Sequence, residues 1–128
     1  MNFLFSLVSS FLLTFNLSPN DIPYSTLEEA FLSNNASPIV KLGKEKFLLN
    51  ILGNEGAYSQ SQATLVLKDF FAKKPSSSFK FIFKGKESPD GSFCIGTYTS
   101  KSETFRITIQ FKKISNEYKI ESLTIEKS

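Results

Sequence analysis

Residues 104–112 read TFRITIQFK, and this run decides the fold. Phe105, Ile107, Ile109 and Phe111 alternate with Arg106, Thr108, Gln110 and Lys112. In an extended chain successive side chains point to opposite faces, so the first set shares one side and the second set the other. A helix would spread the same residues around its axis. The run therefore reads as a strand with one buried and one wet face.

Similar runs lie on both sides of it. Upstream, a polar turn at Lys101-Ser102 precedes Phe93 to Thr99, where Phe93, Ile95, Thr97 and Thr99 oppose Cys94, Gly96 and Tyr98. Pro89-Asp90-Gly91 is a strong turn signal. Before it, Phe79, Phe81 and Phe83 alternate with Lys80, Ile82 and Lys84. Downstream, Ser115-Asn116 turns the chain into a last strand. There Tyr118 and Ile120 share a face, but Leu123 and Ile125 are in the opposite phase. That slip predicts a β-bulge near Glu121-Ser122. Strands joined by such short turns pair antiparallel, so the last four form a meander.

One greasy face of this sheet needs a cover, and the segment before Pro75 provides it. Ser59 and Gln62 fit a capping box. Ala63, Val66, Leu67, Phe70 and Phe71 then form one helical stripe, with Tyr58 placed to pack on the first turn. Lys46 to Leu52 reads as another strand, followed by a turn at Gly53-Asn54-Glu55-Gly56. Asp21 to Asn34 reads as a helix with Tyr24, Leu27 and Phe31 on one face and a capping box at Ser25 and Glu28. Asn34-Asn35 ends it. Ser37-Pro38 opens a second, short helix that carries Ile39, Val40 and Leu42 and stops at Gly43. The expected class is α+β: N-terminal helices packed on a curved antiparallel sheet.

Phe3 to Phe15 reads FLFSLVSSFLLTF, without a charge, and every charged side chain lies after Asn20. A membrane span needs about 20 apolar residues, so this stretch suits a signal-peptide core better. The expected organisation is a signal peptide over residues 1–20 and a single domain over 21–128. The expected compartment is periplasmic or secreted, with no stable membrane span after processing. An uncleaved anchor and an N-terminal core helix are the alternatives.

Composition excludes several chemistries. The 128 residues include one cysteine, Cys94, and no histidine. No intramolecular disulfide, histidine-based triad or typical zinc site can form within the chain. The net charge of +3 is spread without a basic cluster, so nucleic acid is not an expected partner. No cofactor or metal is expected.

The element order, together with Gly56-Ala-Tyr-Ser-Gln-Ser-Gln-Ala63, Leu67-Lys-Asp-Phe-Phe71, Ile95-Gly-Thr-Tyr-Thr99 and the tail Tyr118-Lys-Ile-Glu-Ser-Leu-Thr-Ile-Glu126, resembles a bacterial family, domain of unknown function 4783. That family is a branch of the nuclear transport factor 2-like (cystatin-like cone) superfamily. The resemblance covers about Asp21 to Lys127. It implies the cone fold, export and a Bacteroidota-type origin. It brings no established activity, so no catalytic residue is carried over.

Four candidate sites follow from the residues. An apolar pocket in the cone could be lined by Tyr24, Phe31, Phe71, Phe79, Phe81, Phe105 and Ile107, although the same side chains are needed to fill a core. Acid–base catalysis needs a carboxylate among apolar residues, and Asp69, Glu103, Glu117 and Glu121 all lie in turns, at the bulge or on outward faces. Cys94 is expected on the outer sheet face, with Arg106 on the neighbouring strand. The same face, with Ile82, Cys94, Gly96, Tyr98, Arg106, Thr108 and Gln110, could seat a second copy, so monomer and homodimer both stay open. The leading expectation is non-catalytic binding of a small apolar ligand or a protein partner. A small isomerase- or dehydratase-like enzyme and a structural accessory domain of the cell envelope are the alternatives.

Overall fold

The computed structural model describes residues 21–128, and the predicted signal peptide lies outside them. The elements run α1 (Tyr24–Leu32), α2 (Ala36–Val40), β1 (Gly43–Ile51), β2 (Asn54–Ser59), α3 (Gln60–Lys73), β3 (Ser78–Lys84), β4 (Ser92–Ser100), β5 (Glu103–Ile114) and β6 (Glu117–Lys127). The six strands form one sheet in the order β2-β1-β6-β5-β4-β3. Consecutive pairs from β3 to β6 are antiparallel, which is the expected meander. β1 joins β6 in parallel, so the sheet is mixed.

β5 follows the period-two reading: Phe105, Ile107, Ile109 and Phe111 are all buried. β6 follows it too. Gln110 pairs with Ser122 and Phe111 with Ile120, which leaves Glu121 as the extra residue of a bulge. The bulge restores the phase, so Tyr118, Ile120, Leu123 and Ile125 all reach the core.

β4 has the opposite phase to the one expected. Cys94 pairs with Ile109, Gly96 with Ile107 and Tyr98 with Phe105. Residues directly opposite in an antiparallel pair share a face. Cys94, Gly96 and Tyr98 therefore point inward with the buried side of β5, and Phe93, Ile95, Thr97 and Thr99 point outward. Both faces of β4 carry apolar groups, so the alternation had no polar side to fix its direction. Cys94 and Tyr98 are fully buried, and the Phe79 ring lies over Gly96.

β3 also departs from the expectation. Phe81 pairs with Gly96 but Phe83 pairs with Ile95, so Ile82 is bulged out of the ladder. Phe79 and Phe81 stay on the inner side. Phe83 moves to the outer side, where its ring meets Phe93 at 5.1 Å. Lys84 moves inward, and its ammonium lies 4.8 Å from the centre of the Tyr24 ring. That contact is a cation–π pair.

The N-terminal half differs in its caps. Ser25 lies inside α1 and makes no cap, and Pro23 precedes the first turn. Asn35, not Ser37, precedes α2, so Pro38 is its third residue. Asn34 ends α1 with a left-handed φ of 57°. The expected turn at 53–56 is instead a two-residue hairpin turn at Leu52-Gly53 with both φ values positive, followed by β2. Only α3 begins as read. Ser59 Oγ accepts from the Gln62 amide, and Gln62 Oε1 accepts from the Ser59 amide at 3.1 Å. Ala63, Leu67, Phe70 and Phe71 are buried against the sheet, and Val66 is half-buried.

A carboxylate ties the end of α3 and the end of β6 to the start of β5. Glu103, at the start of β5, bonds the ammonium groups of Lys74 at 2.5 Å and Lys127 at 2.9 Å. These bonds hold its carboxyl below the usual glutamate range. A depressed folded pKa adds stability above the unfolded value of about 4.3, and that stability is lost as pH falls through the folded value. Glu103→Gln should therefore weaken the protein more at pH 7 than at pH 3 in urea melts. A gap between the two proteins that stays constant with pH would remove this role.

Candidate functional site

The cone is filled. Phe31, from α1, stacks on Phe79 at 4.7 Å and meets Phe71 edge-on at 6.1 Å. Phe105 meets Phe70 edge-on at 5.5 Å. Tyr24 meets Phe81 at 5.1 Å, and Phe81 meets Phe79 at 4.9 Å. Offset and edge-on pairs at these distances are the favoured aromatic geometries. Of the side chains expected to line a pocket, Phe31, Phe71, Phe79, Phe105 and Ile107 are buried, while Tyr24 and Phe81 are half-buried beside them. They share one packed cluster, and none of them lines the surface depressions described below.

Tyr98 stands at the centre of this cluster, where the β4 phase error had hidden it. Its hydroxyl donates to the Lys74 carbonyl at 2.6 Å and accepts from Asn34 Nδ2 at 2.8 Å. Asn34 Oδ1 accepts from the Ser76 amide at 3.0 Å. The ends of α1 and α3 are thus pinned to one strand. Burial pushes the Tyr98 pKa up to about 12, against the opposite pull of the Asn34 bond.

Two further groups, half-buried Tyr24 and buried Cys94, have raised pKa values. Burial raises Tyr24 to about 12, with Cys94 and Glu87 adding to the rise. The Tyr24 hydroxyl has no hydrogen-bond partner among the described residues. Burial likewise raises Cys94 to about 12, outweighing the Ile109 backbone bond and the charge of Lys84. A thiol held protonated and out of water is a poor nucleophile. Native Cys94 should stay unmodified by a thiol-reactive disulfide dye at pH 8 and react fully once denaturant is added. Reaction within seconds in native buffer would put the thiol on the outer face after all.

Open space lies at the surface. One cleft, of about 180 Å³, runs between α3 and the β1–β2 hairpin. Ile51, Leu52, Tyr58, Val66 and Phe70 form its apolar walls. Asp69 and Lys73, paired at 3.1 Å, stand at its rim with Lys74. Leu52 is 46% exposed because the left-handed hairpin turn holds it away from the core. The helical stripe and Tyr58 were legible in the sequence. The cleft was not, because its far wall depends on β2.

A further depression, of about 260 Å³, opens where β1 leaves β6. Among the described residues no group of three or more Asp, Glu, Cys or His could hold a metal ion, and no Asp or Glu is buried.

Comparison with known proteins fits this architecture. The family model described as Domain of unknown function (DUF4783) matches residues 24–126. The chain belongs to this family. A DUF4783 family protein from Bacteroides fragilis YCH46 is 31% identical, with a TM-score of 0.75, and the match covers 84% of this chain and 100% of that one. A DUF4783 family protein from Bacteroides uniformis ATCC 8492 is 25% identical, with a TM-score of 0.77 and coverage of 84% and 98%. An NTF-2 like protein of unknown function from Silicibacter pomeroyi DSS-3 is 9% identical, with a TM-score of 0.60 and coverage of 82% and 89%, a likeness of fold alone. None of the curated proteins matches this DUF4783 chain.

Proposed function

We propose that this DUF4783 chain is an exported, non-catalytic binding domain. It holds a small apolar group, presented by a free ligand or by a protein partner, in the cleft between α3 and the β1–β2 hairpin. The observation that carries this reading is the contrast between the packed interior and that cleft. Apolar walls face solvent there beside a charged rim, the usual make-up of a binding site on a small scale. Among the described residues no Asp or Glu is buried, so the interior offers no carboxylate for proton transfer. The charge-free stretch Phe3 to Phe15 supports export.

A neutral hydrophobic dye, Nile red, tests the cleft. Its fluorescence should rise on binding, and Val66→Trp, which fills the cleft, should abolish the rise while leaving the melt unchanged. Undiminished binding by a folded Val66→Trp protein would rule the cleft out. Mass spectrometry of the protein recovered from expressing cells tests export: the N-terminus should fall between Asn16 and Ile22. An intact Met1 in the cytoplasmic fraction would refute export.

A further inference from the structure

The sheet has two borders, and β2 is the one that keeps step throughout. Its pairing with β1 runs unbroken from Ile51 and Asn54 to Lys46 and Ser59, whereas β3 loses register between Phe81 and Phe83. One bond fixes where its backbone groups point. Leu52 turns its amide toward β6 and donates to the Ile125 carbonyl at 2.8 Å. Backbone direction alternates along a strand, so Asn50 and Leu48 also turn toward β6. Their partners Glu55 and Ala57 therefore exchange no bonds with β1 and turn outward. Ser59, next in the alternation, turns outward too, and its amide is taken by Gln62 Oε1 at 3.1 Å. The backbone amides and carbonyls of Glu55 and Ala57 have no partner among the described residues, and both residues are exposed.

The α3 cleft opens beside this border on the inner side of the sheet. Asn54 and Tyr58 line it, with Val66 and Asp69 across from them. Leu65 lies one turn before Asp69 on the same flank of α3 and is 68% exposed. A strand laid along β2 turns alternate side chains toward that flank and the others toward the wet outer face. β2 carries one formal charge, Glu55, and it lies on the outer face: its partner is Asn50, whose neighbours Leu49 and Ile51 are buried. A lysine or arginine on the added strand meets an opposite charge there. Two free amides and two free carbonyls along one border are the electrostatic complement of an extended polypeptide.

We propose that β2 takes up an extended peptide segment of another protein as a further strand. Glu55 and Ala57 hold its backbone, its alternate apolar side chains enter the α3 cleft, and a basic side chain pairs with Glu55. This inference rests on the proposed use of the cleft and names its occupant as a peptide rather than a free small molecule.

The probe is an acetylated, amidated heptapeptide in which valines alternate with threonines around one central lysine, used with the protein as recovered from expressing cells. Calorimetric titration should show saturable binding, with backbone amide shifts centred on Glu55 and Ala57. N-methylation of the peptide amides that face β2 leaves every side chain in place and should weaken binding by about tenfold or more, because inter-strand bonds are lost. Ala57→Pro removes an outward amide that β1 does not use, a change that border strands accept. It should keep the thermal melt within a few degrees and leave Nile red bound, yet weaken the peptide by about tenfold or more. Glu55→Lys should weaken it by about threefold, and a peptide with glutamate in place of lysine should recover the loss. The proposal is overturned if the N-methylated peptide binds as well as its parent, or if a folded Ala57→Pro protein binds the peptide unchanged. It is overturned equally if light scattering finds a dimer that Ala57→Pro dissolves, since a second copy then holds the border. Nile red separates the two readings. Protein that binds the dye but not the peptide overturns this proposal and leaves the cleft standing, and protein that binds neither sinks both.

Discussion

Phe105→Ala lowers the unfolding free energy by about 3–5 kcal/mol, whereas Phe93→Ala lowers it by less than about 1 kcal/mol. Both phenylalanines sit in strands of the meander, at every-other-residue positions of an extended chain. Only Phe105 faces the helices. It is 1% exposed and touches Phe70 and Tyr98, so truncation leaves a hole among rings that cannot all close on it. Phe93 is 42% exposed and leans on Phe83 across the outer side of β3 and β4. Its removal costs little more than one loose aromatic contact. Urea melts of the two variants decide the strand phases directly. Equal losses would mean that β4 and β5 do not share the register described here.

Gly91→Ala is expected to cost on the order of 3–5 kcal/mol, with Gly53→Ala as its control at about 1 kcal/mol. Gly91 closes the turn before β4, exchanging backbone hydrogen bonds with Ser88 at 3.1 and 3.2 Å. Its φ is 143°, which only glycine adopts readily, and a Cβ there would press on the Phe111 carbonyl oxygen. Relief would require moving either the turn or the β5 backbone, and Phe111 is itself buried. Gly53 also has a positive φ, of 93°, but a Cβ there meets nothing within 4 Å. The difference between the two variants measures the backbone collision apart from the conformational strain. Thermal melts that show the two alanines equally harmful would deny the close approach of the turn to β5.

The meander was legible in the sequence where its two sides differ in chemistry. β5 alternates phenylalanine and isoleucine with arginine, threonine, glutamine and lysine, so one phase alone can be buried. The slip between Ile120 and Leu123 announced the β6 bulge, because no straight strand could bury both. β4 offered no such contrast. Phe93 and Ile95 on one side competed with Cys94 and Tyr98 on the other, and the register with β5 settled the matter. The β3 bulge was hidden for a related reason: Phe81-Ile-Phe83 is apolar at every position, so a one-residue slip leaves no trace in the pattern.

β2 escaped notice because its six residues bury little, with none of Asn54–Ser59 fully enclosed. An edge strand with two wet faces has no hydrophobic period to read. The surface openings were illegible for a deeper reason. One depends on β2, the other on the parallel pairing of β1 with β6, strands that are far apart in the chain. The candidate lining of Tyr24, Phe31, Phe71, Phe79, Phe81, Phe105 and Ile107 was visible as a set of apolar positions. Whether such a set encloses space or fills it depends on how rings from two helices and the sheet interlock, and alternation carries no information on that.

The displaced Ile82 also bears on self-assembly. β3 is one border of the sheet, and a border strand with free amides and carbonyls is a template on which another polypeptide can grow. Here the template breaks after Phe81, and Lys80 and Lys84 flank the break. An incoming strand finds Ser78–Phe81 in register and then loses step, beside two positive charges. Deleting Ile82 would straighten that border, and with it remove a safeguard against fibril growth in a chain so rich in phenylalanine.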